Sequence, residues 1–171
     1  MSGEHVRKSI EGVVSYLQEH PNEARSTDPA ATAIWERGLR FKAESPRGAL
    51  VVSDMSKTMG GEGSAPSPGW LMRAALATCA ATLTVMRAAQ ERLELTMLTV
   101  SVESESDSRG LLGMDDSVHA GPLGVRMRIR IGADGASEEK LRQIVKWAEA
   151  HSPVADAIHR AVPTQTEIEI A

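Results

Sequence analysis

The sequence predicts an α+β fold, with helices and strands segregated along the chain rather than regularly alternating. Three observations lead there. Residues 69–93, GWLMRAALATCAATLTVMRAAQERL, are apolar or small nearly all round and carry no Pro and no internal Gly, the pattern of a buried central helix. Residues 98–105, 125–131 and 167–170 alternate strictly between apolar and polar, as half-buried strands do. Between the last two of these strands, residues 137–151 repeat apolar side chains at helical spacing, and a shorter helix is expected over 153–161.

The elements justify themselves in order. Val6, Ile10, Val13, Val14 and Leu17 recur at helical spacing, so residues 4–19 read as a short amphipathic helix. Pro21 and Pro29 then bracket a linker, which sets residues 1–28 apart as an arm and leaves 29–171 as the domain. Residues 31–37 and 39–44 are strand-like, Ser45-Pro46-Arg47-Gly48 is a tight turn, and 49–52 is the return strand. A loop over 57–68 holds Gly60, Gly61 and Gly63 but no Gly-Lys-Ser/Thr, so it lacks phosphate-loop spacing. Ser67 and Pro68 supply a cap and first turn for the central helix, whose wetter side is marked by Arg73, Thr84, Arg87 and Glu91. Leu98, Val100 and Val102 face opposite to Thr99, Ser101, Glu103 and Glu105; Val125, Met127, Ile129 and Ile131 oppose Arg126, Arg128 and Arg130; Ile168 and Ile170 oppose Glu167 and Glu169. Glu138 and Glu139 favour the start of the next helix through its dipole, and Ser152 with Pro153 starts the last one.

Composition excludes several function classes. The 171 residues and 18.3 kDa suit one domain with a short extension, large enough to need no disulfide or metal staple. Aromatics are only 3%, which argues against base or sugar stacking, and a net charge of −4 argues against nucleic acid or an anionic membrane as partner. The arginine row at 126–130 is better satisfied by the acidic strand faces, each cross-strand pair contributing ~0.2–1 kcal/mol, so that strand should lie between or beside the acidic ones. No uninterrupted apolar run reaches the ~18 residues of a membrane span, and the N-terminus has no apolar core or cleavage site, so a cytoplasmic location is expected. The single cysteine, Cys79, excludes an intramolecular disulfide, a multi-cysteine zinc site and an iron–sulfur cluster. The five histidines show no ligand spacing, and neither a metal nor any other cofactor is implied.

Cys79 is the chemistry-bearing residue. On the central helix its neighbours at helical spacing are Met72, Ala75, Leu76, Leu83 and Met86, a setting in which cysteine is often a small buried hydrophobe. Reactivity would need a cation to favour the thiolate. Arg73, six residues away along a helix, falls off the cysteine face, so that cation would come from elsewhere in the fold or from another subunit.

Gly60-Gly61-Glu62-Gly63-Ser64-Ala65-Pro66-Ser67-Pro68, then Leu71, Ala74-Ala75-Leu76-Ala77 and Cys79, resemble the signature of the OsmC/Ohr family of osmotically inducible and organic-hydroperoxide-resistance proteins. Asp107, Arg109-Gly110, Gly113 and Gly121-Pro122 resemble the loop after the next strand, and residues 137–154 the C-terminal half. The resemblance spans about residues 31–170. It implies an intertwined α+β homodimer, with antiparallel sheets around long buried central helices, and thiol-dependent reduction of organic or hydrogen peroxides. In the family a peroxidatic cysteine becomes a sulfenic acid, a second cysteine closes a disulfide, and arginine and glutamate activate the thiolate.

The departures matter as much. Cys79 matches the peroxidatic position, but the resolving-cysteine position, just before Pro153-Val154, is Ser152. The glutamate expected after the second proline is Gly69; Glu62 is the substitute within the loop. The activating arginine comes from the N-terminal sheet region in relatives, where Arg40 and Arg47 are candidates, with Arg37 beside them. His151 adjoins the resolving position and has two readings, a partner for the Cys79 thiol or a cation closing a helix. Two function classes follow: one-cysteine peroxide reduction through Cys79 with an external thiol reductant, or a non-catalytic dimeric module whose Met72, Leu76, Leu83 and Met86 line a pocket for a small hydrophobic ligand.

Overall fold

A computed structural model of the chain describes residues 3–170, and the order of elements matches the α+β expectation. Helix α1 spans Gly3–Glu19, strands β1, β2 and β3 span Thr32–Arg37, Arg40–Glu44 and Leu50–Ser53, and α2 spans Pro68–Gln90. Then come β4 (Leu95–Glu105), α3 (Ser108–Leu111), β5 (Gly124–Ala133), α4 (Glu138–Ala150) and α5 (Pro153–His159). The chain divides into two compact units.

One unit contains residues 76–102 and the chain from Arg126 onward, together with the start of α1. Its core is built from small residues on helices. Leu76, Ala80, Thr84 and Ala88 recur every fourth residue along α2, and Ala89 joins them; Ile144 and Ala148 of α4 and Ala155 of α5 are buried as well. Thr84 lies on this buried stripe and not on the wet side, because its hydroxyl is satisfied by the Ala80 carbonyl of its own helix at 2.8 Å. The wet side carries a charged seam instead: Glu91 accepts from Lys140 Nζ at 2.6 Å and pairs with Arg87 at 2.7 Å, and the Arg87 guanidinium lies 5.0 Å above the Trp147 ring. Lys140 holds the Glu91 carboxyl below its ordinary pKa by donating to it.

Strands β4 and β5 form a two-stranded sheet. In this unit Ser101 Oγ reaches the Arg128 carbonyl and Gly132 abuts Thr96, a pairing in which residue numbers run in opposite directions. Leu98, Val100 and Val102 are the more covered face of β4, as their alternation requires. Ser137 caps α4 by accepting from Lys140 N at 3.2 Å, and Ser152 caps α5 by accepting from Ala155 N at 3.2 Å. Helix α5 ends two residues before the expected Ala161, with Arg160 already extended.

One expectation fails in this unit. Residues 161–170 form no strand, and Ile168 and Ile170 are 80% and 90% exposed. Alternation makes a side chain pattern fit for a sheet, but a strand exists only where a neighbour takes its backbone hydrogen bonds, and β4 and β5 bond to each other alone. Helix α2 is long and apolar enough to pass as a membrane span by length and composition only, with a mean hydropathy of 1.3 in its most apolar window; Arg73 and Arg87 interrupt it, and no continuous apolar run exists.

The other unit contains residues 8–75 and 103–125. Strands β1, β2 and β3 form an antiparallel meander in sequence order, with Ala33 opposite Ala43 and Ala43 opposite Val51. The expected tight turn closes β2–β3: Gly48 N donates to the Ser45 carbonyl at 2.9 Å, and Gly48 sits at φ +85°, where side chains are disfavoured. Helix α3 was not foreseen; Asp107 caps it by accepting from Arg109 N at 2.9 Å, and it is a single turn inside the loop the sequence singled out. Ser67 caps α2 through Trp70 N at 3.3 Å, with Pro68 in the first position, as expected.

Candidate functional site

Two constellations carry chemistry, one in each unit. In the first, Cys79 is the free thiol, half-buried on α2 one residue before the buried Ala80. Helices α4 and α5 are joined by two residues, His151 and Ser152, because Ala150 ends one helix and Pro153 begins the next. Ser152 occupies that joint and is 2% exposed. Its Oγ donates to Cys79 Sγ at 3.2 Å while accepting from Ala155 N. The residue at the resolving-cysteine position thus touches the sulfur directly.

His151, its neighbour, is otherwise engaged. Its Nδ1 bonds the Trp147 carbonyl at 2.8 Å and its ring stacks on Trp147 with centroids 4.1 Å apart. That is the helix-closing role at the end of α4. Of the apolar residues proposed as pocket lining, Leu76 is buried, whereas Met72, Leu83 and Met86 are half-buried on α2. None of these four lines the groove of about 630 Å³ in this unit, which lies between Met97, Ile129 and Ile131 on the strands and Leu141 and Val145 on α4.

The second constellation is organised by a residue the sequence reading did not single out. Asp54 follows β3 and is 1% exposed. Its carboxylate accepts from Met55 N at 2.8 Å, from Glu62 N at 3.2 Å and from both Ser64 N and Ser64 Oγ, at 2.9 and 2.8 Å. The Ser64 amide, above all, holds the Asp54 carboxyl below its ordinary pKa, against the opposing effect of burial. Asp54 N also donates to the Pro66 carbonyl at 3.1 Å, so the Gly-rich loop is closed at its base. Gly61 is required there: a Cβ would stand 2.0 Å from the Met55 carbonyl oxygen. An aspartate at a strand end ahead of Gly60-Gly61-x-Gly63-Ser64 was the available sequence signal, since a run of free backbone N–H groups calls for an anion.

This clasp sorts the arginine candidates. Ser64 gives its only proton to Asp54 and accepts from Arg40 Nη1 at 2.7 Å, while Arg40 Nε donates to Glu36 at 2.8 Å. Glu62 pairs with Arg37 at 2.9 Å, which lowers the Glu62 pKa and raises that of Arg37. The structure therefore brings Arg37, Arg40 and Glu62 to one loop. Arg47 stays out of it, exposed in the β2–β3 turn. Gly69 offers no side chain, and the Arg73 guanidinium beside it bonds Ser104 Oγ at 3.1 Å. Among the described residues no three His, Cys, Asp or Glu side chains gather as a metal site.

The sequence model of the OsmC-like protein family matches residues 61–167, which includes Glu62, Cys79 and Ser152. No curated protein matches the chain in sequence. Among solved structures the chain resembles an OsmC-like protein of Mycoplasma pneumoniae at TM-score 0.67 and 13% identity, covering 80% of this chain and 91% of that one. It also resembles the organic hydroperoxide resistance protein OsmC of Legionella pneumophila, at TM-score 0.57 and 18% identity over 78% of this chain and 90% of that one. A third, an organic hydroperoxide resistance protein of Elizabethkingia anophelis with thiocyanate bound, aligns at TM-score 0.59 and 16% identity over 81% and 92%. At these identities the likeness establishes a shared fold.

Proposed function

Because this chain belongs to the OsmC-like protein family, we propose that it reduces organic or hydrogen peroxides through Cys79 by a one-cysteine route. The observation that carries the reading is the half-buried Cys79 thiol with a hydroxyl, Ser152 Oγ, 3.2 Å away where a resolving thiol would stand. The Cys79 thiolate attacks one peroxide oxygen, the O–O bond breaks, and with one proton taken up the products are a sulfenic acid and an alcohol or water. Ser152 cannot close a disulfide. An external thiol therefore condenses with the sulfenic acid, releasing water, and a second external thiol frees Cys79 as the pair of reductant sulfurs becomes a disulfide. Such reductants belong to the cytoplasm, which is where this reading places the protein. The family resemblance implies guanidinium assistance, and Arg40 and Arg37, both held by the Asp54 loop with Glu62 fixing Arg37, are the candidates carried into this reading.

The test is direct. Treating the protein with cumene hydroperoxide or hydrogen peroxide in the presence of a sulfenic-acid trap should label Cys79, and Arg40→Ala and Arg37→Ala should slow labelling. A Cys79 that stays unmodified with both oxidants rules this reading out.

We propose in addition that the working unit is a homodimer. Apolar side chains that a finished sheet would cover lie open, among them Trp35 at 65% and Leu50 at 60% exposed. Sedimentation at micromolar concentration should give a dimer. A non-catalytic role in binding a small hydrophobic ligand is the second reading; the absent resolving thiol favours it, and the groove of about 630 Å³ offers the space, with five apolar and five charged residues in its lining. Ligand retained in native mass spectrometry, and bound equally by Cys79→Ser, would favour this reading over peroxide reduction.

A further inference from the structure

We infer that Ser152 is a positioning residue for Cys79: its hydroxyl proton is directed at the sulfur, favouring the thiolate and fixing its orientation. The inference deepens the thiol reading above and rests on Cys79 being the reacting group. A serine hydroxyl has one proton and two lone pairs. Here one lone pair is committed to the Ala155 amide at 3.2 Å, since Ser152 caps α5. The geometry leaves the proton for Cys79 Sγ at 3.2 Å, within the range of a hydrogen bond to sulfur. At 2% exposure, Ser152 has little competition from water for that bond. The cap fixes the oxygen, and the oxygen in turn orients the sulfur.

Of the ionisable side chains close to this pair along the chain, His151, Asp156 and Arg73 are occupied by other partners. His151 bonds the Trp147 carbonyl, Asp156 pairs with Arg160 at 2.6 Å, and Arg73 bonds Ser104. A neutral donor in contact with the sulfur is therefore what the structure offers the thiolate at this joint.

The test reads thiolate reactivity by itself. Iodoacetamide alkylates the thiolate, forming a C–S bond and releasing iodide, so its rate against pH follows the thiolate fraction and its plateau follows the intrinsic nucleophilicity. A hydrogen bond to a charged group is worth a factor of about ten at the low end of its range, which suits a weak acceptor such as sulfur. Losing it lowers the thiolate fraction about tenfold at neutral pH and raises nucleophilicity about threefold. Ser152→Ala should therefore react about three- to fourfold more slowly than wild type at pH 7 and about threefold faster on the alkaline plateau, so that the two profiles cross. Ser152→Gly, a tolerated helix cap with neither hydroxyl nor charge, should move its midpoint to higher pH as Ser152→Ala does. Ser152→Thr, which keeps the hydroxyl, should track wild type.

Profiles of Ala and Gly variants that superpose on wild type, or that are faster at every pH as loosened packing would make them, overturn the inference. Should the Ala variant fail to fold, the Gly and Thr pair decides. If the profiles cross but peroxide never labels Cys79, the positioning role stands and peroxide reduction falls.

Discussion

Replacing Ser152 by cysteine should let this chain close an internal disulfide on Cys79. The native oxygen and sulfur are 3.2 Å apart, against about 2.05 Å for an S–S bond, so the two atoms have to approach by about 1.1 Å. The longer C–S bond of the new side chain covers part of that, and rotation about two side-chain bonds the rest. The bridge would tie residues 73 positions apart. Loop-closure entropy for such a span is worth about 4.4 kcal/mol at 25 °C, and losing the serine cap costs about 0.5–2 kcal/mol. A net gain of about 2.4–3.9 kcal/mol corresponds to a rise of about 5–15 °C in Tm for a domain of this size. The assay is one equivalent of peroxide, peptide mapping without reductant, and a melting curve with and without dithiothreitol. A reductant-sensitive 79–152 cross-link with the higher Tm is the expected result. Cys79 recovered as sulfenic or sulfinic acid with no cross-link would show that Ser152 does not stand where its hydrogen bond places it.

Three further outcomes follow from the core and the Asp54 loop. Ile144→Ala removes one of the largest fully buried side chains, 1% exposed, and should lower stability by about 2–5 kcal/mol in urea titration. Gly61→Ala forces a Cβ to within 2.0 Å of the Met55 carbonyl oxygen, so the Glu62 and Ser64 amides should lose their hydrogen-exchange protection; unchanged protection would contradict the clasp. Asp54 has its folded pKa below the unfolded value, so its contribution to stability is complete above about pH 4 and disappears as pH falls through the folded pKa. Asp54→Asn should therefore be less stable than wild type at pH 7, and the gap should narrow on acidification; a gap independent of pH from 7 to 2 would refute the assignment.

The sequence by itself determined the elements whose cause is local. Periodicity located α2, α4, β4 and β5, and Ser67, Ser137 and Ser152 marked helix starts that the structure caps with those hydroxyls. The motif order around Cys79 gave the family, and a lone cysteine excluded a native internal disulfide without any coordinates. Tertiary structure decided whatever depends on a partner distant in sequence. Ile168 and Ile170 carry a strand's alternation yet form none, because backbone hydrogen bonds need a neighbouring strand. Thr84 looked like a wet-side residue and is buried, because a hydroxyl can return its proton to its own helix. Arg37, Arg40 and Arg47 were equivalent as letters. Only the fold of the Gly-rich loop around Asp54 engaged the first two and left the third in a turn, since a carboxylate collects N–H groups in space and not along the chain. The bond from Ser152 to Cys79 joins two residues 73 positions apart, and the α4–α5 joint that brings the hydroxyl to the sulfur exists only once those helices pack.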